Sequence, residues 1–292
     1  VRANSTQAAS SVLTTIAGGI VGVAATTSVL NLKGSTQALI EKASSLNVGS
    51  LKVAASAVNR LSPNLYVGAG GVGAVGAGVA YASNLSSVRA WVGDAASGAG
   101  TGTTKVTTSG AIGIDAQSTT SVSSQSVSAA GGGVGAAGSI NVVMLENTTE
   151  AGASRAEFGS SSARAGSLSI TAKDRLDAKL TGGSVAIGGS AYGATADVLV
   201  ANSATRAKLN DSTAWLSGAL KVDALREVDA RLISVTGGLS TGSSLGGSIG
   251  LLLLGSGTLT QQGANPMDEL DNGGNGTLSL ADASATRGNT AL

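Results

Sequence analysis

The chain has 292 residues but a mass of only 27.9 kDa, because 44 positions are glycine and most others are Ala, Ser, Thr or Val. Six aromatics, two methionines and a 12% charged fraction leave little bulk for a thick globular core, while a mean hydropathy of +0.27 and only two prolines oppose disorder. Without Cys or His there is no thiol nucleophile, Cys/His zinc site, Ser-His-Asp triad, imidazole switch or disulfide, and 18 basic against 17 acidic residues provide no field to gather nucleic acid.

Val1 opens the chain in mid-pattern, with no basic and apolar leader, which reads as a piece of a longer polypeptide whose export signal lies elsewhere. A Gly-punctuated apolar stretch then runs from Ala17 to Leu30, meets Asn31, and leads through Ala38-Leu39-Ile40 to the heptapeptide GSLKVAA at Gly49 to Ala55. A short helix is one reading of Ala38 to Leu46, where Ala, Leu, Glu and Lys cluster. The same order recurs from Val67 to Tyr81, through Asn84 and Ala90-Trp91-Val92, to GAIGIDA at Gly110 to Ala116. It recurs again from Val127 to Leu145, through Asn147 and Ala156-Glu157-Phe158, to GSLSITA at Gly166 to Ala172. A fourth unit runs from Val185 to Val200, through Asn202 and Ala207-Lys208-Leu209, to GALKVDA at Gly218 to Ala224. The last apolar stretch is Gly237 to Leu254, followed by the degenerate anchor GTLSLAD with Gly276 and Leu278.

Successive anchor glycines are 61, 56, 52 and 58 residues apart, which makes a tandem array in one continuous domain, 1–292, with units near 16–66, 67–126, 127–184, 185–234 and 235–292. Within the anchors the apolar residues alternate, as Leu51 and Val53, Ile112 and Ile114, Leu168 and Ile170, and Leu220 and Val222. Period two means strands with one buried face, with Lys221 and Asp223 turned to solvent. A unit of short strands cannot bury its apolar face alone, whereas stacked units can. The fold class expected is all-β: a right-handed parallel β-helix (β-solenoid) of tandem repeats of about 52–61 residues. With coils of roughly 20 residues, each unit would hold two or three, and some fourteen coils would make a rod on the order of 65 Å long. Its narrow interior would be filled with Val, Leu, Ile and Ala. Asn31, Asn84, Asn147 and Asn202 are candidates either for stacked amide ladders or for residues tolerating left-handed turns.

Three overlapping or recurrent GxGxxG matches, at Gly68 to Gly73, Gly71 to Gly76 and Gly133 to Gly138, are followed by no helical periodicity. With Asp94 they could be read as a dinucleotide site, but their recurrence in equivalent stretches marks repeat composition, and no cofactor is expected. Asp268, Glu269, Asp271 and Asn272 form the densest oxygen-ligand cluster and are the calcium candidates, against the simpler reading of a solvated loop. Charges at Lys173 to Lys179 and Arg226 to Arg231 follow two anchors at matched positions and read as solvated faces. The run Leu245 to Leu254 is too short and too diluted for a membrane helix, so burial in the solenoid is its expected role and no transmembrane segment is expected. No paired acids flanked by aromatics mark a polysaccharide-processing site, so enzyme activity is not expected.

The Gly/Ala/Val-rich strands ending in Asn, with Gly-x-Leu-x-Val-x-Ala steps at Gly49 to Ala55 and Gly166 to Ala172, resemble the repeat regions of large bacterial exoproteins. These are the filamentous haemagglutinin-like adhesins of two-partner secretion and the related leukotoxin-like giant proteins, and the resemblance spans Ile16 to Ala283. It implies a secreted or cell-surface filament that passes an outer-membrane transporter during export. Expected partners are neighbouring solenoid segments, exopolysaccharide, and host or bacterial cell surfaces. The function so implied is a structural or adhesive segment of a fibrous adhesin or biofilm matrix, the alternative being the repeat scaffold of a secreted toxin.

Overall fold

The computed structural model describes residues 1–41, 44–94 and 102–255. Strands β1 (Arg2–Ala17), β2 (Val21–Glu41) and β3 (Ser45–Asn47) make the first coil; β4 (Leu51–Gly93) and β5 (Thr104–Thr107) make the second. The third is β6 (Ile112–Ser154) with β7 (Ala156–Phe158), the fourth β8 (Leu168–Asn210) with β9 (Thr213–Ala214), and the fifth β10 (Leu220–Gly255). Every pairing is parallel, and the chain is an all-β, right-handed parallel β-solenoid.

One turn of this solenoid is a whole repeat. Arg2 pairs with Ala54, Leu51 with Ile112, Ile112 with Leu168 and Leu168 with Leu220. The expected 20-residue coil is therefore corrected: a coil of that size would pair residues about 20 apart, and none of these registers does. Inward and outward residues alternate over some 20 positions before the chain turns, so strand length absorbs the repeat.

Each coil runs outward, turns at a glycine-rich tip, and returns antiparallel to itself, with the inner faces of its two halves touching. Ser184 meets Thr195 at 3.0 Å, Ser124 meets Asn141 at 2.5 Å, and Arg226 reaches the Gly255 carbonyl at 2.6 Å, a nested series closing on the tip. Two walls thus pack face to face, each about 65 Å long at about 3.3 Å per residue, while five rungs at about 4.8 Å give a depth of only about 20 Å along the axis. The molecule is a broad blade where the sequence suggested a long thin rod. β3, β5, β7 and β9 close its base as a second parallel sheet.

The tip explains the glycine matches. Gly19, Gly71, Gly132 and Gly188 stack in register, and a Cβ on Gly132 would strike the Gly71 carbonyl, as one on Gly188 would strike that of Gly132. Backbones approach closely here, and among the described residues no helix follows to receive a pyrophosphate. At the base, the anchors stack similarly, with the Gly166 N–H donating to the Gly110 carbonyl at 2.9 Å. Leu51, Ile112, Leu168 and Val53, Ile114, Ile170 are buried in the largest apolar cluster, with Phe158 at its base; Leu220, in the last described rung, is 52% exposed.

The interior is not purely aliphatic, contrary to expectation. A seam containing Asn84, Thr120 and Asn147 divides the basal cluster from one around Leu61, Leu145 and Leu199. A second, with Asn141, Ser184, Thr195 and Asp197, precedes the Ala-lined tip. Short polar side chains bond across the gap between walls, as Ser124 does with Asn141 and Thr195 with Ser184, while other buried polar atoms there, Asn84 Oδ1 and Ser126 Oγ among them, have no hydrogen-bond partner.

Ala38, Ala90, Ala151 and Ala207 form one buried column, so Ala156-Glu157-Phe158 is not the third member of that series but strand β7 of the basal sheet. The helical reading of Ala38 to Leu46 also gives way, because Ala38 to Glu41 ends β2 and Ser45–Asn47 is β3. Gly276 and Leu278, with the calcium candidates Asp268, Glu269, Asp271 and Asn272, lie outside the described residues.

Candidate functional site

The four asparagines do not form one ladder and do not sit at turns. Asn31 is in register with Ser83, Asn84 with Leu145, Asn147 with Ser86 and Asn202 with Glu146, all within strands. Asn84 and Asn147 nevertheless meet inside the blade: Asn84 Nδ2 donates to Asn147 Oδ1 at 2.7 Å, Ser86 Oγ donates to the same oxygen at 2.8 Å, and Asn147 Nδ2 donates to Thr120 at 3.1 Å. Asn31 lies on the outer face, where it accepts from Ser83 at 2.5 Å. Amides two positions apart in sequence register can reach each other only because both point inward.

Two carboxyls lie in these seams. Asp197, beside its register neighbour Asn141, accepts from Ser234, and burial pushes its carboxyl up against the opposing pull of Ser234, Asn141 and the Gly182 N–H. Asp174 is also buried, which corrects the reading of Lys173 to Lys179 as wholly solvated. Neither oxygen has a partner at hydrogen-bond geometry; burial raises this carboxyl, while Ser118, the Arg226 guanidinium and Ser203 act the other way. Burial lowers the Arg226 value in turn, with Asp174 opposing it. Arg226 follows Asp174 in the same inward column.

On the outer return wall near the base, Arg89, Glu150 and Arg206 occupy three consecutive rungs of one column. Arg89 binds Glu150 at 2.6 Å and Arg206 binds its other oxygen at 3.2 Å. Burial alone would raise the Glu150 carboxyl, but hydrogen bonds and charge from Arg89, with Arg206 and Lys208, hold it below its ordinary range. Arg89 also lies over the Trp91 ring at 5.6 Å, Trp91 donates to the Asp94 carbonyl at 2.9 Å, and Asp94 pairs with Arg155 at 3.3 Å. This column was readable from the anchor offsets, since 61 residues after Arg89 is Glu150 and 56 later is Arg206. Asp94 is thereby tied to the next rung.

Chemically these groups lock register. Arg89–Glu150, Glu150–Arg206 and Asp94–Arg155 each join successive rungs, and no described group of three or more Asp or Glu side chains converges as a cation site would require. An open depression of about 510 Å³ at the base, lined by Asn47, Gly49, Thr107, Ser109 and Arg164 among others, brings together one charged group and several small polar ones.

The remaining surface divides sharply. The outward wall near the base carries Lys52–Asp115, Arg175–Glu227 and Lys221–Asp223 pairs, whereas among the described residues the distal outer faces carry none. Leu245 and Ile249 are exposed at 69% and 65%, so the expected burial of Leu245 to Leu254 is corrected: alternate residues of this run face outward on the last described wall. No helix among the described residues is long and apolar enough to cross a membrane.

Comparison of the chain with protein-family models, with curated proteins and with solved structures gives no match.

Proposed function

We propose that the chain is a structural and adhesive segment of a fibrous bacterial exoprotein at the cell surface or in biofilm matrix. The observation that carries this reading is the in-register repetition itself. Every rung offers the next the same parallel edge, and among the described residues β1 and β2 pair only with β4, and β10 only with β8. Such edges accept further rungs of the same register, so the module is suited to axial continuation. The blade then offers broad faces instead of an enclosed pocket, and attachment through many weak contacts to polysaccharide or a cell surface follows. The resemblance to filamentous haemagglutinin-like exoproteins supports the same reading through Gly49 to Ala55 and its recurrences.

The test is binding of the purified chain to bacterial cells, host cells and immobilised exopolysaccharide, run beside dye leakage from vesicles. Saturable binding without leakage is expected. Leakage without surface binding would favour the toxin-scaffold reading instead.

A further inference from the structure

We propose that the distal outer face of the return wall is a lateral interface on which a second copy of this chain packs, sheet against sheet. The face spans positions 21–31, 73–83, 134–144, 190–200 and 243–253, brought side by side by the register. Its outward positions carry no charged residue; Asp197 points inward and is buried. Val23 (63%), Val75 (44%) and Leu245 (69%) are exposed in one column, and Ile140 and Ile249 in another four positions further along.

Between those columns runs one of small residues only: Ala25, Ala77, Gly138, Ala194 and Gly247. The face is therefore a shallow groove flanked by two ridges, running across the rungs. A second copy turned over onto it can seat its own ridge in that groove, because the relief repeats at the rung spacing of about 4.8 Å and only another sheet shares that spacing. Eleven positions at about 3.3 Å by five rungs at about 4.8 Å give roughly 860 Å², against about 800 Å² per partner in a stable interface. Apart from Thr27, Asn31, Ser83, Ser190 and Ser243 the outward positions are apolar or aromatic, and so largely apolar a face of that extent exceeds what a monomer ordinarily leaves in water.

A bilayer suits the face less well. Embedding it would carry the open edges of β2 and β10 into hydrocarbon, where their backbone groups have no partners. The inference concerns the lateral face and stands apart from the adhesive reading, which rests on axial repetition; loss of one leaves the other to be judged on its own data.

The experiment is sedimentation equilibrium of the full chain, with Ile140→Glu on the face and Ser123→Glu on the exposed opposite wall as the charge-matched control. Dimer formation is expected for the wild type, weakened at least tenfold by Ile140→Glu and less than twofold by Ser123→Glu, with unchanged far-UV circular dichroism. If Ile140→Glu loses its β signature, Ala194→Arg, which fills the groove from an exposed position, carries the test with the same expected tenfold loss. A wild type that stays monomeric at 100 μM overturns the proposal. So does association that Ile140→Glu and Ala194→Arg leave intact, which would place it at the rung edges. Binding of the monomer to phosphatidylglycerol vesicles in place of dimerisation overturns it as well.

Discussion

Gly131 and Gly132 are adjacent, belong to the same strand and have opposite surroundings, which makes them a sharp test of the stacked tip. A Cβ on Gly131 would meet nothing within 4 Å. One on Gly132 would strike the Gly71 carbonyl oxygen and lie 3.0 Å from its carbon and 3.1 Å from the Val72 oxygen. These are backbone atoms of the neighbouring rung, so no side-chain rotation relieves the contact. Relief requires the third rung to part from the second at the tip, loosening about two ladder bonds at about 1 kcal/mol each, with a further overpacking cost of about 1–3 kcal/mol. Gly132→Ala should therefore destabilise the fold by about 3–5 kcal/mol and lower Tm by roughly 10 °C. Gly131→Ala should fall within about 0.5 kcal/mol of wild type, and on the stabilising side if the loss of unfolded-state freedom dominates. Urea unfolding followed by far-UV circular dichroism measures both. Equal effects from the two substitutions would refute the close stacking of glycine backbones at the tip.

Asp197→Asn should stabilise the protein at pH 7 by about 1 kcal/mol, because its Oδ1 is buried without a partner and an amide matches its neighbour Asn141. The raised Asp197 and Asp174 carboxyls stabilise fully below their ordinary value of 3.8, and that contribution is lost as pH rises through their higher folded values. Thermal melts should accordingly show Asp197→Asn flattening this part of the pH profile. Glu150 has the opposite sign: its contribution is present above 4.5 and lost as pH falls through its lower folded value. Glu150→Gln should cost about 1 kcal/mol at low ionic strength and less in 1 M salt, measured by denaturant midpoint, since both arginines remain partly exposed. Asn147→Ala should cost about 2 kcal/mol by leaving Asn84 and Ser86 without an acceptor, while Asn31→Ala on the outer face should change stability by less than about 0.5 kcal/mol in the same assay.

The anchors were legible because their chemistry is local. Leu51, Ile112, Leu168 and Leu220 share a motif, and parallel register needs only that equivalent positions pair. Coil size was not legible in the same way. Alternation reports which face is buried but not how far a strand runs before turning, and the tip glycines look alike whether they end a short coil or a long wall. The sequence marks Asn84 and Asn147 as ladder or turn candidates but does not show that they meet across the interior, because contact between two walls depends on distance from the tip, a quantity set by the whole coil. Asp174 failed for a related reason: its charged neighbours Lys173 and Arg175 do face out, and its own inward position follows only from the phase of the strand. The Arg89, Glu150 and Arg206 column shows what such a reading can recover, since the anchor offsets applied to charged residues find it.

Coil size also decides which dimension can carry function. A thin rod gains about 4.8 Å for every 20 residues, whereas this chain gains the same rise only every 52–61 residues. As a spacer it is therefore inefficient, extending less than half as far for a given chain length. The additional residues lengthen the walls, and they are not uniform: charges pair near the base, while the distal outward positions are uncharged and rich in Val, Ala, Gly and Ile, with Tyr66, Gln125, Tyr192 and Leu245 among them. A blade whose added length is largely apolar and outward-facing gives the proposed lateral interface its area. Ion pairs such as Arg89–Glu150–Arg206 hold the rungs in register at the base, which keeps the distal columns aligned across the whole depth of the stack.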